Sequence, residues 1–324
     1  MKKIFCAVLA LAAMASCSKE YIVAEDKQAI GFGEAFVDNG TRADYSTDKV
    51  IEAFKVYGTL TGNYGTTVQI FKGAEVERPT TIPPTGYDNT KAWLCDETQY
   101  WVPNANYNFI AVVDGELNKD VYGNYLNTIS FTVADGTLNK DLLLATASAE
   151  TNGDGTVKDG TNASGLVAFT FDHLLSKLQF TITSNIGAGY SIDVTGITVT
   201  GVAKDGIYTV AGDGDDDGDD DGAWAQVGDA TTELTFGRQG AYETRQILPV
   251  EQELEVTIAY DIYFGEVATG TKISKTTKSG TIANRGYDKE TVYNITAAIT
   301  MTNEIEFTVE AVNGWANGGD IDLQ

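Results

Sequence analysis

LVAFTFDHLLSKLQFTI, residues 166–182, decides the class of fold. Val167, Phe169 and Phe171 alternate with Ala168, Thr170 and Asp172, and the rhythm resumes at Leu178, Phe180 and Ile182. A period of two turns successive side chains to opposite faces of a strand. Toward the N-terminus the pattern recurs at Ile129-x-Phe131-x-Val133, Tyr107-x-Phe109-x-Ala111 and Val56-x-Gly58-x-Leu60. Toward the C-terminus it returns at Ile192-x-Val194, Ile197-x-Val199, Leu254-x-Val256-x-Ile258 and Tyr293-x-Ile295. No long window carries an apolar stripe at helical spacing. Composition agrees: 40 Thr, 16 Tyr and 13 Phe suit a pleated surface better than a helix. Many short strands with Gly, Asn and Asp between them predict an all-β chain of antiparallel sandwiches or barrels. The strands are too many for one small sandwich, so 324 residues divide more economically into two β domains.

Charge and catalytic residue types narrow the function. Lys+Arg number 22 against 46 Asp+Glu, a net charge of −24, which opposes nucleic acid as a partner. With His173 the one histidine, a multi-histidine metal site is impossible, and a His-based triad could use no other residue. No Ser or Cys is assignable to His173 by spacing, so it reads as a structural residue. Paired carboxylates could serve a glycosidase, but acidic residues occur throughout and no pair stands out. No enzyme activity and no cofactor is expected.

Residues 1–16 read as an export signal. Lys2 and Lys3 precede an apolar run from Ile4 to Met14, then Ala15 and Ser16 lead into Cys17. The run is shorter than the roughly 20 residues a spanning helix needs. This pattern resembles a bacterial lipoprotein signal, with Met14 where Leu is commonest. It implies lipidation (palmitate among the acyl chains) at Cys17. The other reading of the same residues is an ordinary secretory signal that ends near a cysteine. After cleavage the one unlipidated thiol is Cys95, so an internal disulfide is excluded. Cys95 itself reads as a packed thiol.

Three stretches read as connections. Thr151 to Gly165 is the expected inter-domain linker, and Pro79 to Gly86 is an extended loop. Asp213 to Gly222, DGDDDGDDDG, carries seven carboxylates. Asp213, Asp215 and Asp217 match the opening of a calcium loop, but the twelfth position is Trp224 instead of a bidentate Glu. A solvated hairpin tip is the favoured reading, with these three aspartates weak metal candidates only. Trp93, Tyr100 and Trp101 are candidates either for the core or for stacking on a sugar.

Three segments together resemble the fimbrillin family of Bacteroidales, the structural subunits of type V pili. They are KAWLCDETQYWVPNANYNFIAVV from Lys91, DLLLATA from Asp141 followed by LVAFTFDHLLSKLQFTI, and YNITAAI from Tyr293 with IEFTVEAVNGW ending at Trp315. The resemblance implies two transthyretin-like antiparallel β-sandwich domains of Greek-key type. With the signal it divides the chain into 1–16 signal peptide, 17–42 propeptide, 43–164 N-terminal domain and 165–324 C-terminal domain. It further implies export to the outer membrane as a lipoprotein and proteolytic release of an N-terminal strand. The vacated groove then receives a donor strand from another fimbrial subunit, identical or paralogous. The end state is an adhesive cell-surface fimbria that meets ligands on host or bacterial surfaces.

Residues for each step are present. AIGFGEAFV, residues 29–37, places Ile30, Phe32 and Phe36 on one face of the strand to be released. Arg42 and Ala43 follow in a polar stretch suited to an Arg-specific protease. The bland alternative is that Arg42 is one exposed arginine among many and the strand stays. Refilling the three apolar positions would contribute ~5–9 kcal/mol. Candidate donors are Ile305, Phe307 and Val309, or the terminal Ile321 and Leu323. Both segments read equally as ordinary strands of the second domain. A retained alternating C-terminus leans towards a shaft subunit. The rival function is a monomeric surface lipoprotein that binds glycan or protein ligands.

Overall fold

Alternation becomes strand wherever one face can be buried, and here it does so along nearly the whole chain. The structure, a computed structural model, describes residues 28–37, 51–63, 65–78, 93–136, 141–159, 165–211, 222–237, 243–300 and 305–313. These residues form twenty strands in four sheets, and no helix occurs among them.

The first sheet has the order β1 (Phe32–Val37), β10 (Val167–His173), β8 (Leu143–Thr151), β5 (Ala105–Val113), β2 (Ala53–Gly62), β3 (Thr67–Glu77) and β4 (Leu94–Cys95). A short β9 (Val157–Asp159) pairs with the end of β8. Every pairing in this sheet is antiparallel except β1 on β10, which is parallel. Its inner face supplies an aromatic core built from Phe32, Phe54, Phe71, Phe109, Phe169 and Phe171.

The second core is aliphatic. Two four-stranded sheets enclose it: β16 (Thr244–Ile247), β11 (Ser176–Asn185), β19 (Thr291–Thr300) and β20 (Glu306–Asn313), and β15 (Thr231–Phe236), β12 (Tyr190–Ala203), β17 (Gln252–Phe264) and β18 (Thr271–Arg285). Ile197, Val199, Leu254, Val256 and Ile258 are all fully buried between them. A fourth sheet, β14 (Ala223–Gln226), β13 (Asp205–Thr209), β7 (Tyr125–Thr132) and β6 (Leu117–Lys119), packs on the same core through Leu117, Ile129, Phe131 and Tyr208.

The pairing crosses the expected division at residues 164 and 165, a boundary expected to within about 15 residues. β10 lies beyond that point yet completes the first sheet, so the chain enters the second core at Leu174 and Leu175. In the other direction, β7 precedes the expected boundary but pairs with β13. Part of the expected linker is a hairpin, with Val157–Asp159 folded back on Glu150 and Thr151. Polar composition marked a surface excursion there, but it could not distinguish a hairpin from a tether.

Bulges account for the breaks in alternation. Ile192-x-Val194 and Ile197-x-Val199 are out of phase, and they belong to one strand with an irregularity between Val194 and Gly196. One extra residue resets which face the side chains take. A second irregularity lies between Val199 and Val202. Gly201, inside it, has φ +81, and a Cβ there would meet the Glu253 carbonyl oxygen at 2.6 Å. Only glycine fits both constraints.

Candidate functional site

The segment ending in β1 fills a slot that is lined on both sides. On one side β1 runs parallel to β10, with Phe32 opposite Val167. The Val167 amide donates to the Gly31 carbonyl at 2.9 Å. On the other side the Ile30 amide donates to the Gln99 carbonyl at 2.8 Å, and the Trp93 amide donates to the Phe32 carbonyl at 2.7 Å. The Trp101 amide completes the set, donating to Gln28 at 3.1 Å. Withdrawal of this segment would strand backbone groups on both walls, which water or another strand must then satisfy.

The floor of the slot is aromatic. Phe32 is fully buried, and its ring centroid lies 6.5 Å from Phe54, 5.3 Å from Phe71, 5.9 Å from Phe109 and 6.0 Å from Phe169. Ile30 is also buried. A register shift lies between Gly33 and Ala35, and Ala35 is buried as well. The side chain of Phe36, the third apolar position expected on this face, lies outside those described. Burial of the two large side chains contributes about 3–6 kcal/mol.

The candidate donor residues divide. Ile305, Phe307 and Val309 belong to or flank β20, antiparallel to β19 at the edge of its sheet. Ile305 is buried, and Phe307 and Val309 pack partly buried on the second core. Phe307 also reaches the facing sheet: a Cβ on Gly280 of β18 would lie 2.6 Å from its ring. Ile321 and Leu323 lie outside the described residues, as do Cys17, Arg42, Ala43, Asp213, Asp215 and Asp217. The acidic run does join two paired strands, because Thr209 of β13 stands opposite Ala223 of β14.

The remaining candidates are structural. Trp93 packs on Phe54 at 5.4 Å and Trp101 on Tyr107 at 4.7 Å, both buried, while Tyr100 is half exposed. His173 is buried at the end of β10, with Nδ1 2.9 Å from the Asp141 carboxylate. Cys95 is half-buried on β4, and burial raises its thiol pKa, which makes it a poor nucleophile. Among the described residues no group of three or more His, Cys, Asp or Glu is placed to hold a metal ion.

Two packed cores of β-strands, one holding a terminal strand in a two-walled slot, define an all-β sandwich protein. A family model described as fimbrillin-like matches residues 41–315, and the chain belongs to that family. Among solved structures, a fimbrial protein from Bacteroides vulgatus superposes with a TM-score of 0.57 at 17% identity, covering 90% of this chain and 100% of that one. A protein from Bacteroides ovatus, named as a candidate cell adhesion protein, gives 0.54 at 10% identity, covering 90% and 99%. One of the same description from Bacteroides uniformis gives 0.50 at 15% identity, with the same coverage. No curated protein matches the chain.

Proposed function

We propose that this chain is a non-enzymatic subunit of a cell-surface fimbria, exported as a lipoprotein through Cys17 and assembled by strand exchange at the β1 slot. The observation that carries the proposal is the fit of β1. A six-residue strand that begins with the fully buried Phe32 is hydrogen-bonded through its segment to two walls, and the sequence that follows contains Arg42. Membership of the fimbrillin-like family supports the fimbrial role, and the matched region begins just after β1. Cleavage at Arg42 cuts the covalent link, after which β1 can diffuse away and its slot can accept a strand from another subunit.

The donor is a C-terminal segment of the neighbouring subunit. If it is β20, residues Ile305 to Val309 must first leave β19; if it is the terminal segment with Ile321 and Leu323, β20 stays in place. A donating C-terminus fits a shaft subunit. The outer membrane holds the lipidated precursor, and adhesion follows from display on the assembled fimbria.

The test is Arg42→Ala. While attached, β1 competes for its own slot at high effective concentration, so an incoming strand loses. The variant should fold, remain monomeric and give no heat-sensitive high-mass ladder on gels. Trypsin treatment of the wild type should create an N-terminus at Ala43 and start slow oligomer growth. Ladder formation by the variant at the wild-type rate would refute release at this position.

A further inference from the structure

A second concave feature lies on the outer face of the first sheet, where it meets β6, β7 and the chain after β13. It encloses about 480 Å³, within the usual range for small-molecule sites. Its floor is the face of β8, β5, β2 and β3 turned away from the aromatic core.

Strand register arranges that floor in rows. Ser148 stands opposite Asn108, Asn108 opposite Thr59, and Thr59 opposite Gln69, so four polar side chains cross four strands in one line. A second row is Thr146, Ile110 and Tyr57. In a third, the hydroxyls of Thr61 and Thr67 lie 2.8 Å apart. The wall comes from the other core. Tyr125 meets the ring of Tyr57 edge-on at 4.8 Å, and the Leu117 amide donates to the Tyr57 hydroxyl at 3.2 Å. Gln69 ties floor to wall by donating to the Tyr125 carbonyl at 3.1 Å.

Among the described residues, none that lines this groove is Asp, Glu, Lys or Arg, although 21% of the chain is charged. An ionic ligand would find no counter-charge on the floor; at the wall the Lys119 ammonium lies 4.6 Å from the Tyr125 ring centroid. Hydroxyls and carboxamides both donate and accept hydrogen bonds, which matches a ligand rich in hydroxyls. Within a row the side chains repeat at the strand spacing of about 4.8 Å, close to the length of one pyranose ring in an extended chain. Tyr125, partly exposed beside the buried Tyr57, offers an aromatic surface of the kind on which the C–H face of a sugar rests. On β5 and β2 a peptide strand has no backbone to pair with, because both are hydrogen-bonded on both sides.

We propose that this groove binds a neutral oligosaccharide, with Ser148, Asn108, Thr59 and Gln69 reading its hydroxyls. Its lining lies within residues 57–211 of a single chain, so the site exists whether or not subunits polymerise.

Calorimetric titration of the purified full chain with cellohexaose, laminarihexaose, xylohexaose and mannohexaose, against acidic hexagalacturonate, tests this. At least one neutral hexamer should bind saturably, and hexagalacturonate should not. Asn108→Ala, at unchanged melting temperature, should weaken binding tenfold or more. Ser148→Lys, at an exposed position that folding tolerates, should do the same if Asn108→Ala proves unstable. Failure of every neutral hexamer at millimolar concentration, tighter binding of the acidic one, or undiminished binding by the folded variants would each overturn the proposal. Arg42→Ala, which blocks assembly but leaves the groove intact, should bind the hexamer as the wild type does. Loss of ladders with retained binding therefore separates the two readings.

Discussion

Phe32→Ala isolates the energetics of the β1 slot. Phe32 is fully buried and its ring is surrounded by four other phenylalanines at 5.3–6.5 Å. Truncation of a buried Phe to Ala costs about 3–5 kcal/mol, since transfer energy is lost and the cavity collapses only in part. β1 is short and terminal, so the loss should fall on its local detachment rather than on the whole domain. With a tenfold change for every ~1.4 kcal/mol, amides protected by β1 should exchange about a hundred- to several-thousand-fold faster. The reporters are the amides of Ile30, Trp93, Trp101 and Val167, each bonded to or within the β1 segment. Amides of β5, such as that of Phe109, should change far less. Hydrogen exchange read by mass spectrometry on the full chain separates these peptides. Equal acceleration of both sets would mean that β1 is not a separable unit. No acceleration of the reporters would mean that Phe32 does not anchor it. Either result would remove the energetic basis for strand release.

Gly280→Ala should loosen β20. The new Cβ would lie 2.6 Å from the Phe307 ring, and overpacking of this kind costs about 1–3 kcal/mol, so β20 amides should exchange faster while β1 is unaffected. Alkaline pH should destabilise the fold. Burial raises the Tyr57 and Tyr287 phenols to about 12, so between pH ~10 and ~12 the unfolded chain loses these protons first and stability falls; urea melts across that window measure it. The Tyr287 hydroxyl is buried without a hydrogen-bond partner among the described residues. Tyr287→Phe should therefore be neutral to slightly stabilising at pH 7 and should flatten the alkaline loss; a loss above ~1 kcal/mol at pH 7 would contradict this. Cys17→Ser should abolish metabolic palmitate labelling, and labelling at the wild-type level would exclude lipidation at that residue.

The sequence alone determined the all-β class, more than half of the strands and the inward residues of core strands such as β10 and β11. Period-two alternation is a local property, and Val167, Phe169, Phe171, Leu178 and Phe180 are all buried as it requires. Strands with little apolar content were invisible to it. β18 runs from Thr271 to Arg285, the longest strand of the described residues, yet it is largely exposed at a sheet edge. No burial pattern marks such a strand, because its partner β17 supplies the hydrogen bonds and its own side chains face water. Partner choice was equally hidden. The pairing of β7 with β13, the parallel seating of β1 on β10 and the bulge at Gly33–Ala35 depend on contacts between distant residues. The polar groove exists only because β8, β5, β2 and β3 align Ser148, Asn108, Thr59 and Gln69 in one row. Those residues are scattered between positions 59 and 148 of the sequence, and it is strand register that makes them neighbours.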